Sequence, residues 1–224
     1  MANLENLQRK LGYQFQAPSL LVTALTHRSA GPAHNERLEF LGDAVLNFLI
    51  AEAVYQQRPQ AHEGDLSRLR AHLVREAGVA GVARALDLGE HLIVGAGETG
   101  SGSHRRQSLL ADVMEAVLGA VLLDGGVESA RQVTLSLYAD ALATLPEAES
   151  LKDAKTRLQE YVQARELPLP QYESVSSAGP QHDQHFVIRC RLTQPPLERE
   201  GAGSSRRSAE QAAAEAVLAV LDRA

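Results

Sequence analysis

The first two thirds of the chain alternate apolar and polar residues with the period of an α-helix. Apolar residues recur three and four positions apart, a spacing that puts them on one helix face. Helix cores are predicted at 8–11, 19–26, 37–55, 64–86, 109–123 and 129–145. The intervening segments 56–62 and 95–107 are rich in Pro, Gly, Ser and His, as surface loops are. The pattern therefore predicts a mainly α-helical domain over 1–146.

The pattern changes after Pro146. A helix is predicted over 153–166, followed by alternating stretches at 171–175 and 185–192, a short strand at 197–200, and an Ala-rich helix over 205–222. This order, α-β-β-β-α, predicts a small α+β domain over 153–224. The segment 147–152, which contains two glutamates and follows a proline, is predicted to be the linker.

Composition adds limits to this picture. The apolar runs are too short for the roughly 20 residues that a spanning helix needs, and the N-terminus lacks the features of a secretory signal. A single cysteine, Cys190, excludes an internal disulfide and is interpreted as a buried strand thiol. We therefore expect a cytoplasmic protein without a membrane partner.

The net charge of −6 is unfavourable for a nucleic-acid-binding protein, because phosphate contacts need Lys and Arg. The charge is unevenly distributed. Residues 1–150 hold 12 basic and 18 acidic residues, whereas residues 151–224 hold ten of each. Bound cations would offset part of the negative charge of the first segment.

Acidic residues form two clusters inside otherwise apolar helical patterns. Glu36, Glu39 and Asp43 are spaced to share one side of a helix, and Asp112 and Glu115 share a face of another. Like charges so close repel, whereas a hard cation such as Mg²⁺ takes carboxylate ligands and keeps several waters. If the two helices pack together, the acids can surround one or two ions that activate water for phosphodiester hydrolysis.

These residues carry a resemblance to a known family. Residues 35–45, Asn-Glu-Arg-Leu-Glu-Phe-Leu-Gly-Asp-Ala-Val, resemble the signature of the ribonuclease III family of double-stranded RNA endonucleases. Further similarity is found in Leu-Thr-His-Arg-Ser at 25–29, Glu-Gly-Asp-Leu-Ser at 63–67 and the acidic helix at 110–120. The resemblance implies a homodimeric enzyme that depends on Mg²⁺, with Mn²⁺ able to substitute, and leaves 5′-phosphate and 3′-hydroxyl ends.

The resemblance also assigns roles to single residues. It implies that the acids just described bind metal and catalyse, that two further acids place the RNA strand, and that an aromatic plug lies at the dimer contact. The metal-binding acids are Glu39, Asp43, Asp112 and Glu115; the strand-placing acids are Glu36 and Glu63; the plug is Phe40.

The C-terminal segment resembles a double-stranded RNA-binding domain in all three of its contact regions. Such domains read A-form shape across two minor grooves and the intervening major groove. Gln159 and Gln163 lie four apart on the first helix, and His182 lies in a Gly-Pro loop. Arg206 and Arg207 open the last helix, whose N-terminus favours phosphate. The family usually has lysines at this pair.

Other signals in the chain receive simpler interpretations. The segment 95–100 fits G-x-G-x-x-G, but no apolar helix follows it, so no nucleotide cofactor is expected. Arg106 and Ser108 are predicted to contact RNA from a loop. For His27 we expect a structural hydrogen bond, because metal-activated water needs no histidine base.

Two alternative functions remain open at the level of sequence. One is an RNA-binding protein that kept the fold without the chemistry, although every catalytic acid is present. The other is a phosphohydrolase of small nucleotides, which would not need the second domain. Ribosomal RNA precursors and structured messenger RNAs are the substrates that the resemblance implies.

Overall fold

The computed structural model describes residues 2–96, 107–179 and 184–222. Two predicted RNA contacts, Arg106 and His182, lie outside these residues. The chain separates into two compact units, with the boundary between Leu151 and Lys152. The first unit is helical, and the second has three antiparallel strands flanked by helices. The predicted fold class is therefore confirmed.

The first unit is built around two long helices with shorter ones packed on them. Its helices are α1 (Ala2–Leu11), α2 (Pro18–Ala24), α3 (Glu36–Gln57), α4 (Glu63–Val74), α5 (Glu76–Ala85), α6 (Gln107–Leu137) and α7 (Ala139–Ala143). The buried centre of α6 supplies the core with Met114, Val117, Leu118 and Val121, and α3 supplies Leu46, Leu49 and Ile50.

Helices α3 and α6 cross with their backbones in contact at two glycines. A Cβ atom added to Gly42 would lie 1.7 Å from the carbonyl oxygen of Glu115, and one added to Gly119 would lie 2.2 Å from that of Leu38. Both distances are too short for any other side chain, so the close approach requires glycine. The crossing brings the acidic part of α3 beside the acidic part of α6.

The single helix predicted over 64–86 is wrong. Helix α4 ends at Val74, Arg75 is extended (φ −60°, ψ 151°), and α5 begins at Glu76. Helix α5 comes so close to the end of α4 that a Cβ atom on Gly78 would lie 2.4 Å from the carbonyl oxygen of Leu73. Because arginine is a good helix former, nothing in the local pattern marks this break.

Helix α6 contains one residue with a non-helical backbone. Gly126 has φ 77° and ψ 179°, a conformation that favours glycine. It lies between the two helix cores predicted at 109–123 and 129–145, so the interruption occurs where the pattern placed it. The second of these predicted cores is broken again at Tyr138, after which α7 begins.

The second unit packs two helices against an antiparallel sheet. Its elements are α8 (Ala154–Gln163), β1 (Gln171–Ala178), β2 (His185–Leu192), β3 (Leu197–Gly203) and α9 (Arg206–Leu221), and the sheet order is β1-β2-β3. Gly201 allows β3 to touch α9, because a Cβ atom there would lie 2.1 Å from the backbone nitrogen of Ala213. Cys190 is a buried thiol in β2, as predicted.

The segment predicted as a linker contains regular structure. Ala148–Leu151 form a 3₁₀ helix, and both end residues pack against the core of the first unit. In the parts of the chain that the structure describes, no helix has the length and apolar character needed to cross a membrane.

Candidate active site and nucleic-acid interface

The four predicted metal-binding acids lie on either side of the glycine crossing. Glu39 and Asp43 flank Gly42 on α3, and Asp112 and Glu115 lie one turn apart on α6. The backbone carbonyl of Glu115 is itself the group against which Gly42 packs. The contact that requires glycine thus brings the two acidic pairs together.

Electrostatic coupling among these acids shows their proximity. Burial is the main reason that the pKa of Glu115 is raised to about 7. The other three carboxylates raise it further through their negative charge, in the order Asp43, Asp112 and Glu39. The pKa of Glu39 is raised by burial first and then by the charges of Asp112 and Glu36. In the metal-free protein, Glu39 and Glu115 therefore hold their protons to higher pH than ordinary glutamates do.

A polar cavity of about 330 Å³ opens between α6 and the start of α3. Its lining includes both carboxylates and nitrogen donors. It is lined by His27, Arg28, Asn35, Glu36, Glu39 and Asp112. Glu36, one of the two predicted strand-placing acids, is therefore brought to the acidic cluster, where its Oε1 accepts a hydrogen bond of 3.2 Å from Arg28.

The segment that carries His27 is held by backbone and side-chain hydrogen bonds. The backbone nitrogen of His27 donates to the carbonyl of Ile93 at 2.9 Å. Its Nδ1 accepts from the backbone nitrogen of Ser29 at 3.3 Å and lies 2.8 Å from the Ser29 hydroxyl. Ser29 Oγ in turn accepts from the backbone nitrogen of Gly95 at 2.9 Å. His27 thus makes the structural hydrogen bonds expected for it.

The carboxylates suit a divalent cation by their chemistry. Among the described residues, no three His, Cys, Asp or Glu side chains are gathered closely enough to form a complete metal cage. A cage is unnecessary for Mg²⁺, which keeps several waters and is usually held by one or two carboxylates. Burial raises the pKa values of Glu39 and Glu115 most, and the negative charges of neighbouring carboxylates raise them further. A bound cation would neutralise part of this negative charge.

Two polar residues at the site were assigned no role from the sequence. After burial, the negative charge of Glu76 is the next largest cause of the raised pKa of Asp112. Glu76 Oε1 also accepts a hydrogen bond of 3.0 Å from Gln107 Nε2 at the start of α6. The other is Asn35, which lines the cavity. Glu76 follows the break at Arg75, so sequence periodicity contains no signal for its position.

The second predicted strand-placing acid lies elsewhere. Glu63 is the first residue of α4, where its Oε1 accepts from Ser67 Oγ at 2.8 Å. It borders a largely apolar groove of about 340 Å³. This groove is lined by Phe48, Ala51, Glu52, Tyr55, Glu63, Leu66, Ser67 and Arg70. Within one chain, Glu63 and Glu36 therefore do not line the same cavity.

The predicted dimer plug lies on an exposed apolar face of α3. The side chain of Phe40 is 80% exposed, and those of Phe48 and Tyr55 on the same helix are 52% and 69% exposed. These large apolar side chains give α3 exposed apolar surface of the kind that marks interaction sites.

The predicted contacts of the second unit that the structure describes are exposed at helix surfaces. Gln159 and Gln163 lie on one side of α8. Arg206 and Arg207 open α9, whose N-terminus is organised by a capping box between Ser205 and Ser208. Arg206 also donates to Glu210 Oε1 at 3.1 Å.

Near these contacts, hydrogen bonds between side chains join α8 to α9. Asp153 Oδ1 accepts from the backbone nitrogen of Thr156 at 3.0 Å and from Gln211 Nε2 at 2.9 Å. Lys155 Nζ donates to Glu210 Oε2 at 2.6 Å. These bonds set the glutamine face of α8 in a defined position relative to the arginine end of α9. In the first unit, Ser108 does not lie in a loop as predicted, because α6 begins at Gln107 and places Ser108 in its exposed first turn.

Comparison with known proteins gives matches over nearly the whole chain. A family model described as Ribonuclease-III-like matches residues 17–142, and one described as double-stranded RNA binding motif matches residues 154–221. The chain is 55% identical over 220 residues to Ribonuclease 3 of Nitrosococcus oceani, which covers 97% of this chain and 94% of that protein. It is 51% identical over 220 residues to Ribonuclease 3 of Pasteurella multocida, covering 98% of each.

Solved structures resemble the first unit. The nuclease domain of ribonuclease III from Campylobacter jejuni, in a 2.2 Å crystal structure, matches with a TM-score of 0.62 and 39% identity, over 65% of this chain and 100% of that one. A second structure of the same domain, described by flexibility in a region involved in dimer formation, matches with a TM-score of 0.60 and 40% identity, over 61% and 96%.

Proposed function

The chain belongs to the ribonuclease III family and is an endoribonuclease, and from this premise we propose that it cleaves double-stranded RNA in a reaction that requires Mg²⁺. The products are 5′-phosphate and 3′-hydroxyl ends. The observation that carries this proposal is the convergence of two acidic helix faces at the Gly42–Gly119 crossing. Four coupled carboxylates beside a polar cavity are the arrangement that a metal-assisted phosphodiester hydrolysis needs.

The proposed roles of the acids follow from their positions. Glu39, Asp43, Asp112 and Glu115 would hold the cation, whose charge would offset the burial and the neighbouring negative charges that raise the pKa values of Glu39, Asp112 and Glu115. A bound Mg²⁺ would supply an activated water and stabilise the leaving oxygen. Glu36, held by Arg28, helps to orient the RNA strand at the mouth of the same cavity.

The second unit is proposed to bind the RNA duplex through its shape. Gln159 and Gln163 present amides that reach 2′-hydroxyls in a minor groove. Arg206 and Arg207 add fixed charge to the N-terminus of α9, which already favours phosphate. His182, Arg106 and Ser108 are proposed to contribute further contacts. The proposed substrates are ribosomal RNA precursors and other structured transcripts, in the cytoplasm.

The active form is proposed to be a homodimer. The exposed patch of Phe40, Phe48 and Tyr55 on α3 supports this, because apolar surface of this kind is covered when it forms a self-complementary two-fold contact. Phe40 and the apolar groove that Phe48 and Tyr55 line are separate features of one helix. A two-fold axis can therefore place the Phe40 of each subunit in the groove of the other.

The proposed function is tested with the variant Glu115→Gln. We expect it to reduce cleavage of a long RNA duplex in Mg²⁺ by at least about 10³-fold, because the amide cannot provide the negative charge that holds the cation, while binding to the duplex changes less than about threefold. Glu128→Gln makes the same change at an exposed residue of α6 and should leave both unchanged.

The outcomes separate the alternatives. Cleavage by the unmodified protein in Mg²⁺, and its loss in EDTA, is the expected result. Duplex binding without cleavage would identify a non-catalytic RNA-binding protein, and hydrolysis of small nucleotides without duplex binding would identify a phosphohydrolase. Full activity of Glu115→Gln would contradict the role given to Glu115.

A further inference from the structure

Asn35 is a buried polar residue whose side-chain nitrogen has no partner. Its side chain is 2% exposed, and its Nδ2 makes no hydrogen bond to any described residue. Asn35 also lines the polar cavity beside Glu39 and Asp112. A buried donor without an acceptor is unfavourable and uncommon, so a ligand that enters the cavity with an acceptor would be stabilised there.

The position of Asn35 is set by its backbone, which leaves its side chain available. Its backbone nitrogen donates to the carbonyl of Thr26 at 2.9 Å, and its own carbonyl accepts from Leu38 at 2.8 Å and Glu39 at 2.9 Å. Asparagine is favoured at such a position because its side chain can cap the helix. Here the side chain makes no capping hydrogen bond. The amide is therefore held at the cavity wall without a role in the helix.

The cavity offers both donors and acceptors to a ligand. Asn35 Nδ2 is one donor. His27 is a second, because its Nδ1 accepts from Ser29 and the neutral ring then carries its hydrogen on Nε2. The carboxylates of Glu36, Glu39 and Asp112, which line the same cavity, are acceptors. A group that both accepts and donates a hydrogen bond would pair with both kinds of lining residue.

Among the groups of an RNA strand, the ribose 2′-hydroxyl fits this description. It is neutral, so the carboxylate wall does not repel it as it would repel a phosphate that arrived without a cation. It accepts one hydrogen bond and donates another. The described lining residues include no Phe, Tyr or Trp on which a base could stack, which favours a sugar over a base.

We propose that Asn35 Nδ2 donates a hydrogen bond to the 2′-hydroxyl of one ribose beside the cleaved linkage, so that the nuclease unit distinguishes RNA from DNA at that position. The hydroxyl hydrogen is then donated to one of the carboxylates that line the cavity. This contact rests on the proposed function, because it is made by the strand that the acidic cluster cleaves. It is separate from the 2′-hydroxyl contacts of the second unit.

The test compares Asn35 variants on RNA duplexes that carry a single 2′-deoxy substitution, moved one nucleotide at a time along the cleaved strand. For the unmodified enzyme, we expect one position near the cleaved bond at which the deoxy sugar slows single-turnover cleavage about tenfold, the loss of one hydrogen bond. Asn35→Ala should slow cleavage of the all-ribose duplex by a similar factor. It should then show no additional loss with the deoxy sugar at that position.

Two further variants guard against an effect on folding. Asn35→Asp keeps the shape of the side chain but replaces the donor with an acceptor, and should lose at least as much as Asn35→Ala. Gln57→Ala removes an amide from the other end of α3, where Nε2 donates to the carbonyl of Leu142 at 2.9 Å. It should retain normal rates and normal sensitivity to the deoxy sugar.

The proposal is contradicted if Asn35→Ala and the unmodified enzyme respond equally to the deoxy sugar at every position, or if no position shows a response. If the cleavage rate of the unmodified enzyme falls with a phosphorothioate substitution and not with the deoxy sugar, Asn35 contacts a phosphate instead. Absence of cleavage by the unmodified protein would contradict the proposed function alone. In that case, the affinity of the same duplexes for the two proteins, measured by fluorescence anisotropy, still decides whether Asn35 reads the sugar.

Discussion

At the scale of single residues, the site is defined by acids whose charged forms are energetically unfavourable in their positions. Burial and neighbouring charges raise the pKa values of Glu39, Asp112 and Glu115, the last to about 7. The free energy of unfolding falls when such groups ionise. Carboxyl groups with pKa values shifted in this way are typical of functional sites. A cation bound among these carboxylates would attract each of them, so that their mutual repulsion would be replaced by attraction to the cation.

The raised pKa of Glu115 makes stability depend on pH in a predictable direction. Folded Glu115 has a pKa of about 7, whereas the ordinary value is 4.5. Between these values the unfolded chain loses its proton while the folded chain keeps it, so the stability that Glu115 contributes at low pH is lost as pH rises through 7. Glu115→Gln removes this dependence because the amide does not ionise.

In EDTA, we therefore expect Glu115→Gln to melt at nearly the same temperature as the unmodified protein at pH 5 and about 2–4 °C higher at pH 8. Thermal unfolding followed by circular dichroism measures this difference. His72 and His91 have lowered pKa values and affect stability in the opposite direction, but they are present in both proteins. Saturating Mg²⁺ should reverse the order at pH 8. A lower melting temperature for the variant in EDTA at pH 8 would contradict the assigned electrostatics.

At the scale of elements, the site depends on how closely α3 and α6 approach each other. Gly42 and Gly119 let the two backbones touch. Gly42 contacts the carbonyl of Glu115, which is one of the acids, and Gly119 contacts the carbonyl of Leu38, the residue before Glu39. A larger side chain would push the helices apart and separate Asp43 from Glu115. The glycines thus position the acids that we propose to be catalytic.

The substitution Gly42→Ala tests this helix contact. Its Cβ would lie 1.7 Å from a backbone atom that cannot rotate away, so we expect a loss of about 1–3 kcal/mol in the free energy of unfolding. Separation of the helices should also expose Glu115 and move it away from the other carboxylates, so its pKa, measured by NMR titration, should fall. Gly81→Ala is the matched control, because nothing lies within 4 Å of a Cβ there and alanine favours a helix by about 0.5–1 kcal/mol.

Urea unfolding gives both free energies. Gly81→Ala should be neutral or stabilised, whereas Gly42→Ala should be destabilised. Equal midpoints for the two variants would show that α3 and α6 do not need their close contact.

At the scale of the whole molecule, the exposed aromatic side chains of α3 are apolar surface that a single chain leaves uncovered. If the proposed dimer forms, Phe40 is an anchor that is used twice, once in each subunit. Aromatic anchors at the centre of an interface contribute about 2 kcal/mol or more each. The dimer should therefore be sensitive to this one side chain.

The substitution Phe40→Ser is expected to raise the Kd of the dimer by about 10²–10³-fold, since two anchors are lost per dimer. Sedimentation velocity across a range of concentrations measures the change. Leu169→Ser is the control, because it removes an exposed apolar side chain from the second unit, where Leu169 is 55% exposed. An unmodified protein that stays monomeric, or an unchanged dimer of Phe40→Ser, would contradict the proposed contact.

Some of these features follow from the sequence alone because they are local. Helical periodicity is a property of neighbouring residues, so the pattern correctly predicted a helical first unit, an α-β-β-β-α second unit and the shared face of Glu39 and Asp43. It also marked the interruption near Gly126. The break at Arg75 was missed, because arginine favours a helix and the break is stabilised by the packing of α5 near Gly78.

Other features were decided only by the tertiary structure. The sequence separates Glu39 from Asp112 by more than 70 positions, and only the Gly42–Gly119 crossing brings them together. The charge of Glu76 near Asp112 and the burial of Asn35 at the cavity wall also required the packed chain. Residues near in sequence share a face because backbone geometry repeats, whereas distant side chains meet only where whole elements pack, and that depends on contacts with no local pattern.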